Sequence, residues 1–164
     1  MTRTRAILFG GVTVAALDAL DALVFFTGIR GVPAMSIFQA IAAGLMGRAA
    51  FQGGVPTLLF GLALHLFNAT CIVAVYVFAS GKLPLLLRRP LLCGSAYGVL
   101  VYGVMNFIVI PLSALEAHVR LPGLINGLIV HSLFVGPPSA LFALAAASAV
   151  RPPRPGGAGT PGDR

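Results

Sequence analysis

The chain has 164 residues, 58% of them hydrophobic and only 9% charged, and its net charge is +7. With a mean hydropathy of +0.97, this excludes an ordinary soluble domain, because one globular core cannot absorb so much apolar surface in so short a chain. Spans of about 20 apolar residues joined by short loops do absorb it, so the sequence reads as an integral membrane protein. Its basic residues sit at the ends of apolar runs rather than in one patch, which makes the lipid bilayer the expected partner and nucleic acid not one.

Arg3 and Arg5 precede an apolar run over residues 6–27. The pattern begins like a signal peptide, but the run continues through Val24, Phe25 and Phe26, beyond any small-residue cleavage site, so it is expected to remain as the first span. This run holds Asp18 and Asp21. An ionised carboxylate at the bilayer centre costs about 2.5–3.5 kcal/mol on insertion scales, so such residues face protein and find partners. Three residues apart, the two acids share a helical face with Gly11 and Ala15, and that face is expected to point into a bundle.

Residues 33–50 are apolar enough for a helix but are interrupted by Arg48 and flanked by glycines. A crossing here would put the Lys82/Arg88/Arg89 loop outside together with Arg30. If the segment instead re-enters or lies at the interface, Arg3, Arg5, Lys82, Arg88, Arg89, Arg151, Arg154 and Arg164 are cytoplasmic, eight of the eleven basic residues, as the positive-inside rule requires. The expected fold is therefore all-α: a four-helix transmembrane bundle with an additional re-entrant or interfacial helix between spans one and two, both termini cytoplasmic.

The second span, 56–80, opens on Pro56 and carries Gly61, His65 and Asn68. Its Asn68-Ala69-Thr70 sequon lies inside an apolar span, beyond a glycosyltransferase's reach. The third, 91–112, spaces Gly94, Gly98, Tyr102 and Asn106 four residues apart, and its two glycines form a small-xxx-small motif that permits close helix approach. Pro111 is expected to kink its end. A loop with Glu116, His118 and Arg120 leads to the fourth span, 122–150, carrying Gly123, Asn126, Gly127 and His131. There Gly136-Pro137-Pro138 predicts a break or strong kink. Residues 1–150 thus form one transmembrane domain, and the Pro/Gly/Arg-rich tail 151–164 is expected to be a disordered cytoplasmic segment. Cys71 and Cys93 fall in different spans with no CxxC or Cys/His spacing, which indicates neither a disulfide framework nor a zinc knuckle.

At Phe38 to Gly54, Gly61-Leu-Ala-Leu-His65, Gly98-Val-Leu-Val-Tyr102 through Met105-Asn106 to Pro111-Leu112-Ser113, and Asn126-Gly127 to Pro138, the chain resembles a group of small uncharacterised bacterial multi-pass membrane proteins. The resemblance covers roughly residues 33–140. It implies a bacterial cytoplasmic (inner) membrane location and brings no activity, so function rests on the residues themselves.

Counted from the outer end of each span, Asp18, Asp21, His65, Asn106 and His131 lie roughly 8–15 Å deep, on four different helices. They are the candidate site, an intramembrane Asp/His layer that shares a proton or binds and passes a small cation, with Tyr102 one turn further in. The alternative is a non-catalytic scaffold or complex subunit in which these residues, and Asn68 and Asn126, only join helices at about 0.6 kcal/mol each. A haem between His65 and His131 is a further alternative, with Gly61 and Gly127 one turn away clearing space for the macrocycle. So is a bare iron, manganese or zinc ion held by both carboxylates and both imidazoles. No Walker loop, HExxH or GxSxG motif occurs, and only Ser132, beside His131, is retained as a conceivable nucleophile. An enzyme is therefore not the expected reading. The small size and small-residue stripes make a homo-oligomer or a larger membrane complex an expectation.

Overall fold

A computed structural model describes residues 1–115 and 121–149. The expected loop residues Glu116, His118 and Arg120 and the tail 151–164 lie outside the described residues. The described chain is all-helical, and five of its helices are long and apolar enough to cross a membrane: α1 (Arg3–Ile29), α2 (Ala34–Gln52), α3 (Gly54–Lys82), α4 (Pro90–Leu112) and α5 (Leu121–Ser148). A single helical turn, Leu85–Arg88, joins α3 to α4. The hydroxyl of Thr2 accepts from the Arg5 amide, an N-cap that starts α1 before its apolar run begins.

Small residues make the interior. Ala6, Val14, Ala15, Ala69, Val73, Ala140 and Ala143 are buried, whereas Leu8, Phe9, Leu20, Phe67, Phe78 and Phe107 are exposed. This is the arrangement expected where lipid replaces water outside, since large apolar side chains gain nothing by leaving lipid and small ones let helices approach.

The glycines show which helices meet. A Cβ on Gly10 would lie 2.8 Å from Val73 Cγ1, and one on Gly11 would overlap Thr70, while Arg3 reaches Gly81. Low numbers in α1 therefore meet high numbers in α3, and the two run antiparallel. α4 and α5 are antiparallel likewise, with Gly94 against Pro137, Gly98 against the backbone of His131 and Ser132, and Tyr102 against Gly127. At the other side of α3, Tyr97 Oη donates to the Ile72 carbonyl at 2.8 Å and the Tyr76 and Tyr97 rings pack edge-on at 5.0 Å. α1 and α4 thus run one way and α3 and α5 the other. Arg3, Arg5, Lys82, Arg88 and Arg89 gather at one end of the bundle, opposite Arg30 and Arg48.

α2 packs on the first third of α3. Gly61 meets the Phe38 carbonyl and the Ala42 amide so closely that a side chain there would overlap backbone. Only 13 residues of α2, Ala34–Met46, are α-helical; the rest, Gly47–Gln52, is 3₁₀. Gly47 and Gly54 have φ of 61°, a left-handed conformation that glycine adopts without a Cβ clash, and they set the turns around the 3₁₀ segment. A buried polar knot holds this corner: Gln39 Nε2 donates to Gly54 O and Thr57 Oγ1, both at 3.2 Å, and Thr57 Oγ1 donates to Ala50 O at 2.7 Å. The Ala114 amide closes the far side by donating to Gly44 O at 2.9 Å.

The prolines do not break their helices. Pro111 follows a π-helical turn at Met105–Val109, and Pro137 and Pro138 follow one at His131–Val135. A proline ring clashes with the carbonyl four residues earlier; those carbonyls belong to Phe107, Leu133 and Phe134, all inside the widened turns. The expected break at Gly136-Pro137-Pro138 is thus a continuous helix whose π turn absorbs the misfit.

Candidate functional site

The two π turns that precede Pro111 and Pro137 also carry Asn106 and His131, so local widening of the helix sets the rotation of two candidate site residues. Together with Asp18 of α1 and His65 of α3 they line a cavity of about 380 Å³ among the helices, to which Asn68 and Tyr102 add their polar groups. The remaining wall is apolar, and among the described residues it includes no Lys or Arg. From Val14 to Phe26 of α1 the cavity extends about 18 Å along the bundle at the helical rise, toward the end opposite the basic cluster.

Asp18 and His65 form the charged part. His65 Nε2 lies 3.9 Å from Asp18 Oδ2, with the side chains 13% and 28% exposed respectively, an ion pair only when the imidazole is protonated. The same nitrogen lies 3.0 Å from the Ala15 carbonyl. A carbonyl only accepts, so Nε2 carries a proton, and a neutral His65 keeps Nδ1 as its acceptor. Phe38 stands with its ring centroid 6.3 Å from the imidazole, tilted toward edge-on, which supports the side chain from α2. Among the described residues no group donates a hydrogen bond to Asp18.

His131 is oriented in the same manner. Its Nδ1 lies 2.9 Å from Gly127 O, so Nδ1 carries the proton and Nε2 is the acceptor of the neutral ring. The Tyr102 ring packs 5.3 Å from it, and Tyr102 Oη donates to Leu124 O at 2.8 Å. Asn106 Nδ2 donates to Tyr102 O at 2.9 Å, leaving its carbonyl oxygen for the cavity.

Asp21, expected in this layer, is not part of the cavity wall. Its Oδ2 accepts from Asn126 Nδ2 at 2.7 Å, a bond between α1 and α5 that satisfies the second acid within the bundle. Asn68, read from sequence only as a residue joining helices, lines the cavity instead; its position three residues after His65 places it near the same face and was the available signal. Gln39 and Thr57 gave no such signal, because their contact depends on how α2 returns to α3.

The geometry also bears on the cofactor alternatives. Among the described residues no group of three or more His, Cys, Asp and Glu side chains is placed to hold a metal ion, so the four-ligand set of Asp18, Asp21, His65 and His131 is not assembled. The space that Gly61 and Gly127 leave beside the histidines is filled, by α2 backbone at Gly61 and by the Tyr102 ring at Gly127, so neither clears room for a macrocycle. Ser132 Oγ donates to Ile129 O at 2.9 Å and His131 Nδ1 to Gly127 O, which leaves no Ser–His hydrogen bond to activate a nucleophile.

Fold and cavity together define an all-helical protein with five helices long and apolar enough to cross a membrane and a carboxylate–imidazole pair in the cavity between them. Compared with protein-family models, curated proteins and solved structures, the chain matches none.

Proposed function

We propose that this is a bacterial inner-membrane protein that crosses the bilayer four times, with both termini cytoplasmic, and that Asp18 with His65 binds and passes a proton or small cation. The antiparallel packing of α1 on α3 supports four crossings: a segment between two antiparallel spans begins and ends on the same side, so α2 enters and returns. Its α-helical part is also short, about 20 Å at 1.5 Å per residue against a hydrocarbon core of about 30 Å. Gathering of the basic residues at one end supports the orientation. A reporter fusion after Ser80 is expected to read cytoplasmic, and an extracytoplasmic readout overturns this topology.

The observation that carries the site is the Asp18 carboxylate: it lines an apolar cavity, accepts no hydrogen bond among the described residues, and has an imidazole 3.9 Å away. An intramembrane acid so placed is costly unless a proton or cation joins it. The scaffold reading is favoured by a different observation, the Asp21–Asn126 bond, and we assign Asp21 that structural role. In proteoliposomes, wild type and Asp21→Asn are expected to dissipate an imposed proton or sodium gradient and Asp18→Asn is expected not to. No flux by the folded wild-type protein overturns the conduit.

A further inference from the structure

We propose that the cavity binds an organic ammonium cation with an apolar body, its charged head at Asp18 and its body toward Phe26. The proposal rests on the reading of Asp18 as the cavity's cation-binding group, and deepens it by naming the class of ligand.

Three observations carry it. First, the cavity is larger than a proton or a bare ion needs: about 380 Å³ falls within the roughly 300–1,000 Å³ typical of sites for organic molecules. Second, its wall has the composition of such sites, mostly apolar with a few polar groups. Third, those polar groups are unbalanced. The carboxylate of Asp18 accepts no hydrogen bond among the described residues. The Nε2–H of His65 and the Nδ1–H of His131 are both committed to backbone carbonyls, so each neutral ring offers the cavity only a lone pair. Tyr102 has likewise committed its hydroxyl proton to Leu124 O, and one amide proton of Asn106 goes to Tyr102 O. Its described wall thus holds one carboxylate and the lone pairs of two imidazoles, and no Lys or Arg.

That inventory selects among ligands. Among the described residues a phosphate, sulfate or carboxylate would meet no Lys or Arg, only the side-chain amides of Asn68 and Asn106 as neutral donors, and would lie beside Asp18, so anions are disfavoured by charge. A neutral apolar molecule would leave the acceptors unsatisfied. An ammonium group supplies what is missing, with N–H donors and a positive charge for the carboxylate. The apolar body then fills the part of the cavity that no small ion would occupy. Such a molecule can enter from the bilayer, in which amphipathic amines concentrate at the headgroup boundary.

The test is equilibrium dialysis of the full chain in mild detergent against three probes that share one aromatic body: 1-naphthylmethylammonium, 1-naphthylmethanol and 1-naphthoate. The cation is expected to bind at one site per chain at least about tenfold more tightly than the alcohol, the scale of a charge-assisted hydrogen bond. The anion is expected not to bind above a detergent blank. Asp18→Asn is expected to remove the preference for the cation, and Asp21→Asn to leave it. Equal binding of cation and alcohol by the wild-type protein overturns the proposal without recourse to any variant, as does a cation preference that persists in folded Asp18→Asn. Flux is scored separately. Asp18-dependent flux without binding of the amine overturns this ligand class and leaves the conduit standing, whereas Asp18-dependent binding without flux overturns the conduit and leaves the binding site.

Discussion

Replacing Gly98 by alanine sets two opposed effects against each other at the α4–α5 contact. Alanine stabilises a helix interior over glycine by about 1 kcal/mol, so propensity alone predicts a more stable protein. The atoms facing Gly98 are the His131 carbonyl group and Ser132 Cα, which a new Cβ would overlap or touch at 3.0 Å. All are backbone and cannot rotate aside, so α5 must shift as a unit, and the close approach of Gly94 to the Pro137 backbone moves with it. Overpacking costs about 1–3 kcal/mol, occasionally more, and with unyielding backbone opposite the upper end applies, so against the gain of about 1 kcal/mol the net effect is a loss of about 2 kcal/mol or more. Gly103 is the control, since nothing lies within 4 Å of its would-be Cβ: Gly103→Ala should be neutral or gain up to about 1 kcal/mol. Denaturation of both variants in mild detergent, by heat or by added sodium dodecyl sulfate, should separate their midpoints in opposite directions from wild type. Coincident midpoints for Gly98→Ala and Gly103→Ala would refute the close α4–α5 packing and, with it, the position of His131 in the cavity.

Two further substitutions probe the polar contacts that join helices. Asn126→Leu leaves Asp21 without its donor and is expected to cost about 1–3 kcal/mol, whereas Asp21→Asn keeps an acceptor oxygen for Asn126 and should cost under about 1 kcal/mol; the same denaturation assay checks the order, and a reversed order contradicts the assigned bond. Thr57→Val removes the hydroxyl that serves both Gln39 and Ala50 O, with an expected loss of about 1–2 kcal/mol and faster proteolysis within Gly47–Gln52, and unchanged cleavage there contradicts the role given to the knot.

The apolar runs made the helices legible to within three residues or so at each end. Residues 6–27, 56–80, 91–112 and 122–150 correspond to Arg3–Ile29, Gly54–Lys82, Pro90–Leu112 and Leu121–Ser148, because desolvation of the backbone in lipid forces a long apolar run into one continuous helix. Depth was legible only in part: His65 reaches Asp18 at 3.9 Å, but α4 sets Gly98, not Asn106, beside the His131 backbone and Tyr102 beside Gly127, so Asn106 lies about 12 Å along the axis from the His131 backbone. Rotation was not legible. Asp18 and Asp21 lie three residues apart on one regular stretch of α1, and which of them meets the cavity and which meets Asn126 is set by how far α1 is turned against α5, a choice that a 3.6-residue count does not contain. The corner built by Gln39, Thr57 and Ala50 was illegible for a related reason: its partners are brought together by positive-φ glycines at 47 and 54, a backbone choice on which apolar periodicity is silent.

Asp18, rather than Asp21, lines the apolar cavity and is the proposed cation-binding carboxylate. An apolar carbodiimide tests this directly, because it adds only to a protonated carboxyl group that it can reach from the membrane and leaves an N-acylurea that mass spectrometry assigns to a residue. Labelling of the folded protein is predicted at Asp18 and slowed by saturating 1-naphthylmethylammonium, with Asp21 protected by its bond to Asn126. Labelling at Asp21 with Asp18 unmodified would contradict the account.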